Sequence, residues 1–376
     1  MGKESGNTTN SWLNLAKILE LTIHGGKSAI SGQQIGLDYK QIDLDPDYPL
    51  QDMAALRRAF WKQLDYFLPQ MEKAANACTR ALALLPAPFL STFMGGLQTG
   101  RDMRDVAAQG TEYNASGCLI HGLSVAADSL AALQYIQDHK PDYLRELPKA
   151  LLTGFRGYER LHALCLAAPK YGNDDDAADA VARELAHEVS ARVSRLRNPW
   201  GNPFYPDWST PSTHLLYGYW VGATPDGRQA RRMLGFGIDP TWGTNIRGLP
   251  PRIMSAHKLD YMDFSGGYAS HIGLRRSMFQ KTGAGQLIQT MREYVIDPLF
   301  GYAPGSVNSG FYVYFNIDDA DHLRKILKNP RVMVPSGIYI MRIHGTFVNF
   351  LDLSPVIQED IIKRLELDCT CAQGGA

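Results

Sequence analysis

Cysteine is scarce in this 376-residue chain, with five thiols at Cys78, Cys118, Cys165, Cys369 and Cys371. The number is odd and the spacing wide, and there is no C-x-x-C pair and no histidine at zinc spacing. A disulfide framework and a structural zinc site are therefore excluded, and reduced thiols are expected. Cys369-Thr-Cys371 reads as a pair of solvated tail thiols. Net charge is missing too: 38 Lys plus Arg stand against 38 Asp plus Glu. No basic field draws the protein to nucleic acid or to an anionic membrane, so a small or neutral partner is expected. Long apolar runs are also lacking. The longest, "ALALLPAPFL", has ten residues and two prolines, too short and too broken to span a bilayer. The polar opening "MGKESGNTTN" does not read as a signal peptide. Together these readings place the protein in the cytoplasm.

What is present is apolar content, 45% of the residues, enough for one large core or for two domains. "SWLNLAKILELTIHGG" carries leucine and isoleucine at helical spacing and stops at a glycine pair, the pattern of a helix with a glycine C-cap. Met53, Leu56, Phe60, Leu64 and Phe67 advance in steps of three and four, and the pattern continues to Leu85 before "PAP" ends it, with a kink expected at Pro69. Further helical patterns occupy roughly 124 to 138, 144 to 167, 176 to 196, 284 to 298 and 319 to 328. Between them "HLLYGYWVGA", "GFYVYFNI" and "GIYIMRIHGTFVNF" read as strands on their aromatic and branched content. The mixture is α/β.

Several polar and glycine-rich clusters remain. Asp174 to Asp176 precede "AADAVARELA", where they cap a helix and complement its dipole; consecutive carboxylates do not converge on a metal, and no metal site is expected. "TPDGR" is a Pro-Asp-Gly turn. The third singular feature is a lone glycine, Gly345, inside the strand-like "MRIHGTFVNF". A glycine in a strand ordinarily marks a bend or a close backbone approach.

Taken in order, "NLAKILELTIHGG", "PAPFLS", "GTEYN", "HGLSVAADSLAAL", "APKYGNDDDAAD", "VGATPDGR", "SAHKLD" and "RIHGTFVNFLDLSPVIQEDIIKR" resemble the glycyl radical enzymes, the pyruvate formate-lyase and glycerol dehydratase family. The resemblance covers nearly the whole chain. It implies the second half of a ten-stranded α/β barrel with surrounding helices, residues 1 to 240 forming the C-terminal portion of the lyase-like domain and 241 to 376 the glycine radical domain. Arg342-Ile343-His344-Gly345 falls on the family's radical motif, which makes Gly345 the implied radical carrier. Glycine suits that role because a Cα radical flattens to delocalise over its flanking amides, and a Cβ would crowd the planar centre. Two departures stand out. Thr346 occupies the place of the usual aromatic residue, with Phe347 one position later. The family's thiyl cysteine loop should precede "NLAKILELT", yet no cysteine precedes Cys78. The expectation is a C-terminal part that starts just beyond that loop, with Cys118 a weak substitute because Ile120 stands where glutamate should follow.

The resemblance implies the rest of the machinery. No soluble cofactor is bound; a separate radical S-adenosylmethionine activase removes hydrogen from Gly345, and a thiyl radical then attacks a small organic substrate. A homodimer of the intact enzyme and a small partner subunit are also implied. His24 and Glu112 are the candidate pocket residues, against the plain readings of a helix C-cap and a solvated carboxylate. A histidine and a carboxylate there resemble the hydroxyphenylacetate decarboxylase large subunits, which points to arylacetate decarboxylation. Glycerol or diol dehydration, formate C-acetyltransfer, and a non-catalytic glycyl radical donor subunit are the alternatives.

Overall fold

The computed structural model describes residues 8–107, 116–210, 213–274, 276, 284–300, 313–343 and 346–367. Its centre is a four-stranded sheet of β1 (Thr8–Asn14), β2 (Ser116–His121), β3 (Phe204–Trp208) and β4 (Gly267–Tyr268), every neighbouring pair parallel and the spatial order that of the sequence. Parallel neighbours need crossovers, and helices supply them. Accordingly β2 is buried along its whole length, while edge strand β1 alternates, with Ser11 and Leu13 inside and Trp12 exposed. A second parallel pair, β5 (His271–Leu274) with β6 (Tyr314–Ile317), and an antiparallel hairpin, β7 (Ile340–Ile343) with β8 (Thr346–Asn349), follow. The α/β expectation holds.

Local chemistry explains the helices. In α1 (Leu15–Ile23) the Asn14 side chain accepts from the Lys17 amide, and Leu15, Ile18, Leu19 and Ile23 are buried. The chain then turns at Gly25 and Gly26, both at positive φ, and a Cβ on Gly26 would sit 2.4 Å from the Gly36 carbonyl oxygen. Helix α2 (Met53–Leu82) starts at Asp52, whose carboxylate accepts from the Ala54 amide, and turns Leu56, Phe60, Leu64 and Leu68 inward. It runs through Pro69 without a break and stops three residues short of Leu85.

Two sequence expectations need correction. The pattern over 144 to 167 is two helices, Tyr143–Leu152 and Glu159–Ala167, because Gly154, Phe155 and Gly157 all take positive φ between them. "HLLYGYW" is not a strand: Thr213–Tyr219 is helical. Short apolar runs fit either state, and its His214 and Gly218 face inward at helical, not alternate, spacing. Asp175, by contrast, caps helix Asp176–Val193 as expected, and Lys258 Nζ lies among Asp174, Asp176 and Asp179 at 2.7 to 2.8 Å. The "TPDGR" turn closes with the Thr224 amide donating to the Arg228 carbonyl and the Gly227 amide to the Thr224 carbonyl.

Apolar packing forms one large core and smaller separate clusters. The large core runs from Leu13 to Tyr268 and includes Leu19, Phe60, Leu130, Leu185, Phe204 and Trp208. A separate core draws only on Leu323 to Leu365, with Phe350 at its middle. Among the described residues, no helix is long and apolar enough to cross a membrane.

Candidate active site

The Arg342-Ile343-His344-Gly345 motif begins in β7. Ile343 and Thr346 are paired positions in β7 and β8, Arg342 stands opposite Phe347, and only His344 and Gly345 come between in sequence. His344, Gly345 and Glu112 lie outside the described residues. The hairpin's frame is well defined. Phe350 is fully buried, its amide donates to the Tyr339 carbonyl, and the Tyr339 amide donates to Asn349 Oδ1. Helix Pro355–Leu367 follows, starting where Ser354 and Pro355 signal it, with Ile361 and Leu365 turned inward.

His24 is placed at the end of α1, where its backbone amide donates to the Glu20 carbonyl. The plain reading of a C-cap is thus met by the backbone. The imidazole does not add a positive charge to the helix end, because burial pushes its pKa down to about 4, with Glu20 opposing and Lys17 assisting. Nε2 is buried and has no hydrogen-bond partner among the described residues. Beside it the buried Glu20 carboxylate pairs with Lys17 Nζ and accepts from the Ala29 amide at 2.9 Å and the Gly222 amide at 2.6 Å. One carboxylate thereby ties the loop after α1 to the segment leading into the "TPDGR" turn.

The carboxyl ends of β1 and β2 carry a second polar layer. His121 ends β2 and pairs in register with Asn14 at the end of β1. Its Nε2 lies 2.7 Å from Thr213 Oγ1, its ring sits 4.2 Å from the Tyr217 ring, and burial pushes its pKa down to about 3. Further along, His214, Asp239, Arg252, His271 and Asp360 line a cavity of about 20 Å³, room for a single water. Arg252 pairs with Asp239 at 2.8 Å, and Asp239 also accepts from Ser270 Oγ and the His271 amide. Crevices at the carboxyl ends of parallel strands are where α/β sheets place ligands. Sequence reasoning missed all of these residues. They are scattered over 240 positions, and no spacing links them.

The cysteines are settled by burial. Cys118, in β2, is fully buried with its Sγ 3.8 Å from Met71 Sδ, and burial pushes its thiol up to about 12. A protonated thiol is the right hydrogen donor, but a side chain closed off by β1, β3 and α2 leaves no room for a substrate. Cys165 is buried likewise and also pushed up to about 12, while Cys78 is exposed on α2. Among the described residues no group of three or more His, Cys, Asp or Glu is arranged to hold a metal.

This arrangement of a parallel sheet followed by a hairpin matches known proteins. The Pyruvate formate lyase-like family profile matches residues 1–218. Over 373 residues the chain is 31% identical to trans-4-hydroxy-L-proline dehydratase of Clostridioides difficile, and over 376 it is 25% identical to (2S)-3-sulfopropanediol dehydratase of Klebsiella oxytoca. Each match takes in 97% of this chain, and 44% and 43% of those relatives. The glycerol-bound B12-independent glycerol dehydratase of Clostridium butyricum superposes with a TM-score of 0.82 at 31% identity, over 96% of this chain and 44% of that one. The chain belongs to the pyruvate formate lyase-like family of glycyl radical enzymes, with their α/β barrel fold. It spans less than half the length of these relatives. All three are dehydratases, and the decarboxylase reading drawn from His24 and Glu112 gains nothing from them.

Proposed function

We propose that this chain supplies the radical glycine, Gly345, of a dehydratase that removes water from a small hydroxylated substrate. The likeness to dehydratases along nearly the whole chain carries this reading, since 31% identity extends over 97% of it and so takes in the hairpin motif as well as the sheet. Dehydration replaces arylacetate decarboxylation as the preferred chemistry.

In this reading a radical S-adenosylmethionine activase takes the Gly345 Cα hydrogen, leaving one unpaired electron there. The glycyl radical takes hydrogen from a cysteine thiol, and the thiyl sulfur takes hydrogen from a substrate carbon next to the one bearing the hydroxyl. The substrate radical loses the hydroxyl with a proton, as water. The product radical then recovers hydrogen from the thiol, and the thiyl regains it from substrate on the next turn. Cys118 and Cys165 are buried and Cys78 is exposed on α2, and the thiyl role is assigned to none of these three. The intact enzyme works as a homodimer and holds no resident soluble cofactor. The protein's share is to position the reacting atoms and exclude water and oxygen. A neutral, unpartnered His24 Nε2 suits hydrogen bonding to a substrate hydroxyl, and Glu112 is proposed as its companion.

The test is anaerobic activation of the intact enzyme with its activase. Electron paramagnetic resonance should show a glycyl doublet, and hydroxyproline, glycerol or propane-1,2-diol should be dehydrated. Release of carbon dioxide from 4-hydroxyphenylacetate, with no dehydration of any of the three, would return the chemistry to decarboxylation.

A further inference from the structure

Buried ionisable side chains from separate parts of the chain gather around His271, the first residue of β5. Its ring is held on two sides, stacked on Tyr314 of β6 with centroids 4.7 Å apart and standing edge-on to Phe236 at 4.2 Å. Its backbone is held as well: the amide donates to Asp239 Oδ2 at 2.8 Å, and the carbonyl accepts from the Arg252 guanidinium. Arg252 pairs with Asp239, so those two charges balance. Helix Thr213–Tyr219 brings in His214 and helix Pro355–Leu367 brings in Asp360, with Oδ2 3.4 Å from His214 Nε2 and without hydrogen-bond alignment.

His271 also borders two cavities. The first, of about 20 Å³, is lined by His214, Asp239, Arg252 and Asp360 as well as His271, and the second, also of about 20 Å³, by His271, Asn316, Arg342 and Ile343. Each is polar and has room for one water. Arg342 and Ile343 begin the Arg342-Ile343-His344-Gly345 motif. One histidine thus stands between a buried histidine–carboxylate pair and the segment proposed to carry the radical. An imidazole suits that place, because it takes a proton on one ring nitrogen while releasing one from the other. It can pass a proton on without keeping a net charge, which burial disfavours.

We infer that His271 relays protons between the His214–Asp360 pair and the cavity beside the motif, through one water on either side. The inference rests on the dehydration reading, since dehydration sets the demand: as the substrate carbon–oxygen bond breaks, the departing hydroxyl must gain a proton to leave as water. The relay supplies it, an imidazole N–H bond breaking as the new O–H bond forms, and His214 refills His271 through the first water. The substrate radical then gives up the proton of its remaining hydroxyl or amino group. That proton returns along the same path, so the relay ends each turnover as it began. Arg342 and Tyr314 are the other ionisable groups beside His271. His214 and Asp360 act only through His271 and are positioning residues.

Two measurements test the relay. In the unactivated full chain with isotope-labelled histidine, nuclear magnetic resonance should show His271 ring nitrogens in contact with long-lived water, and Asp360→Asn should shift the ring signals of both His214 and His271. Ring nitrogens of His271 that meet no water would overturn the relay. In the activated intact enzyme, His271→Gln should keep the glycyl doublet and lower kcat for dehydration about a hundredfold with little change in KM. His271→Phe, which keeps a ring against Tyr314 but carries no proton, should be equally slow. Asp360→Asn should lower kcat about tenfold and move the pH at which kcat falls. Near wild-type kcat in His271→Phe would reduce His271 to a packing role and overturn the relay alone. Absence of dehydration in the wild type would overturn the dehydration reading, and the proton demand with it.

Discussion

The large core and the hairpin unit solve the same problem differently. In the first, some 250 residues wrap a parallel sheet whose middle strand is buried end to end, and fully buried Phe60, Phe204 and Trp208 anchor it. In the second, a two-stranded hairpin and two main helices close around Phe350 and a few aliphatic side chains, and charged contacts fasten the outside. The comparison teaches that the residue proposed to carry the chemistry falls, in sequence, between the two strands of the smaller body. The large body is the frame against which it must be placed.

The largest effect expected from breaking this division of labour is chemical. Gly345→Ala should abolish the glycyl doublet and all turnover of the activated intact enzyme, with the thermal midpoint shifted by only a few degrees, since a single substitution of this size typically costs at most a few kcal/mol. A doublet persisting in the alanine variant would move the radical elsewhere.

Next come the two cores. Phe60→Ala should cost about 3–5 kcal/mol of global stability, read from denaturant midpoints. Phe350→Ala, an equal truncation, should loosen the hairpin unit in hydrogen exchange while the amides of β2 and of the 123–139 helix keep their protection. Equal loss of protection in both regions would show that the cores are one cooperative unit.

Glu20→Gln is a smaller change inside the large body. It removes the charge that holds Lys17 and two backbone amides, and should cost about 2–3 kcal/mol while raising exchange at Ala29 and Gly222.

The effect that is smallest at neutral pH, and grows only as pH falls, is that of histidine titration. His24 titrates near 4 when folded and near 6.5 when unfolded, and His121 near 3 when folded. The unfolded chain therefore binds protons that the folded one refuses, and stability is lost as pH falls from about 6.5. Each histidine contributes about 1.4 kcal/mol per pH unit until its folded pKa is reached. His24→Gln should flatten the stability profile between pH 6.5 and 4 by one proton's worth, in urea titrations at stepped pH. An unchanged slope would mean that His24 is not held neutral.

Much of this was legible before the structure. The N-caps at Asn14, Asp52 and Asp175, the glycine stop after α1 and the Ser354-Pro355 start of the last helix are signals written in neighbouring residues, and they act where they stand. The same locality misled at 214 to 219, where aromatic and branched residues suggest a strand but burial of His214, packed against Phe236, goes with a helix. Length helped too: "PAPFLS" to "VIQEDIIKR" kept the order of a family, and order over a whole chain is hard to match by chance.

By itself, then, the sequence determined the α/β class, the family and the glycine motif, because periodicity, capping and collinear motifs are properties of the chain read in one direction. Only the tertiary structure decided that His24 is neutral, that Cys118 is sealed between strands, and that His214 meets Asp360 across 146 positions. Burial and long-range pairing depend on which surfaces the fold brings together, and no local pattern encodes the distance between two side chains that far apart in the chain.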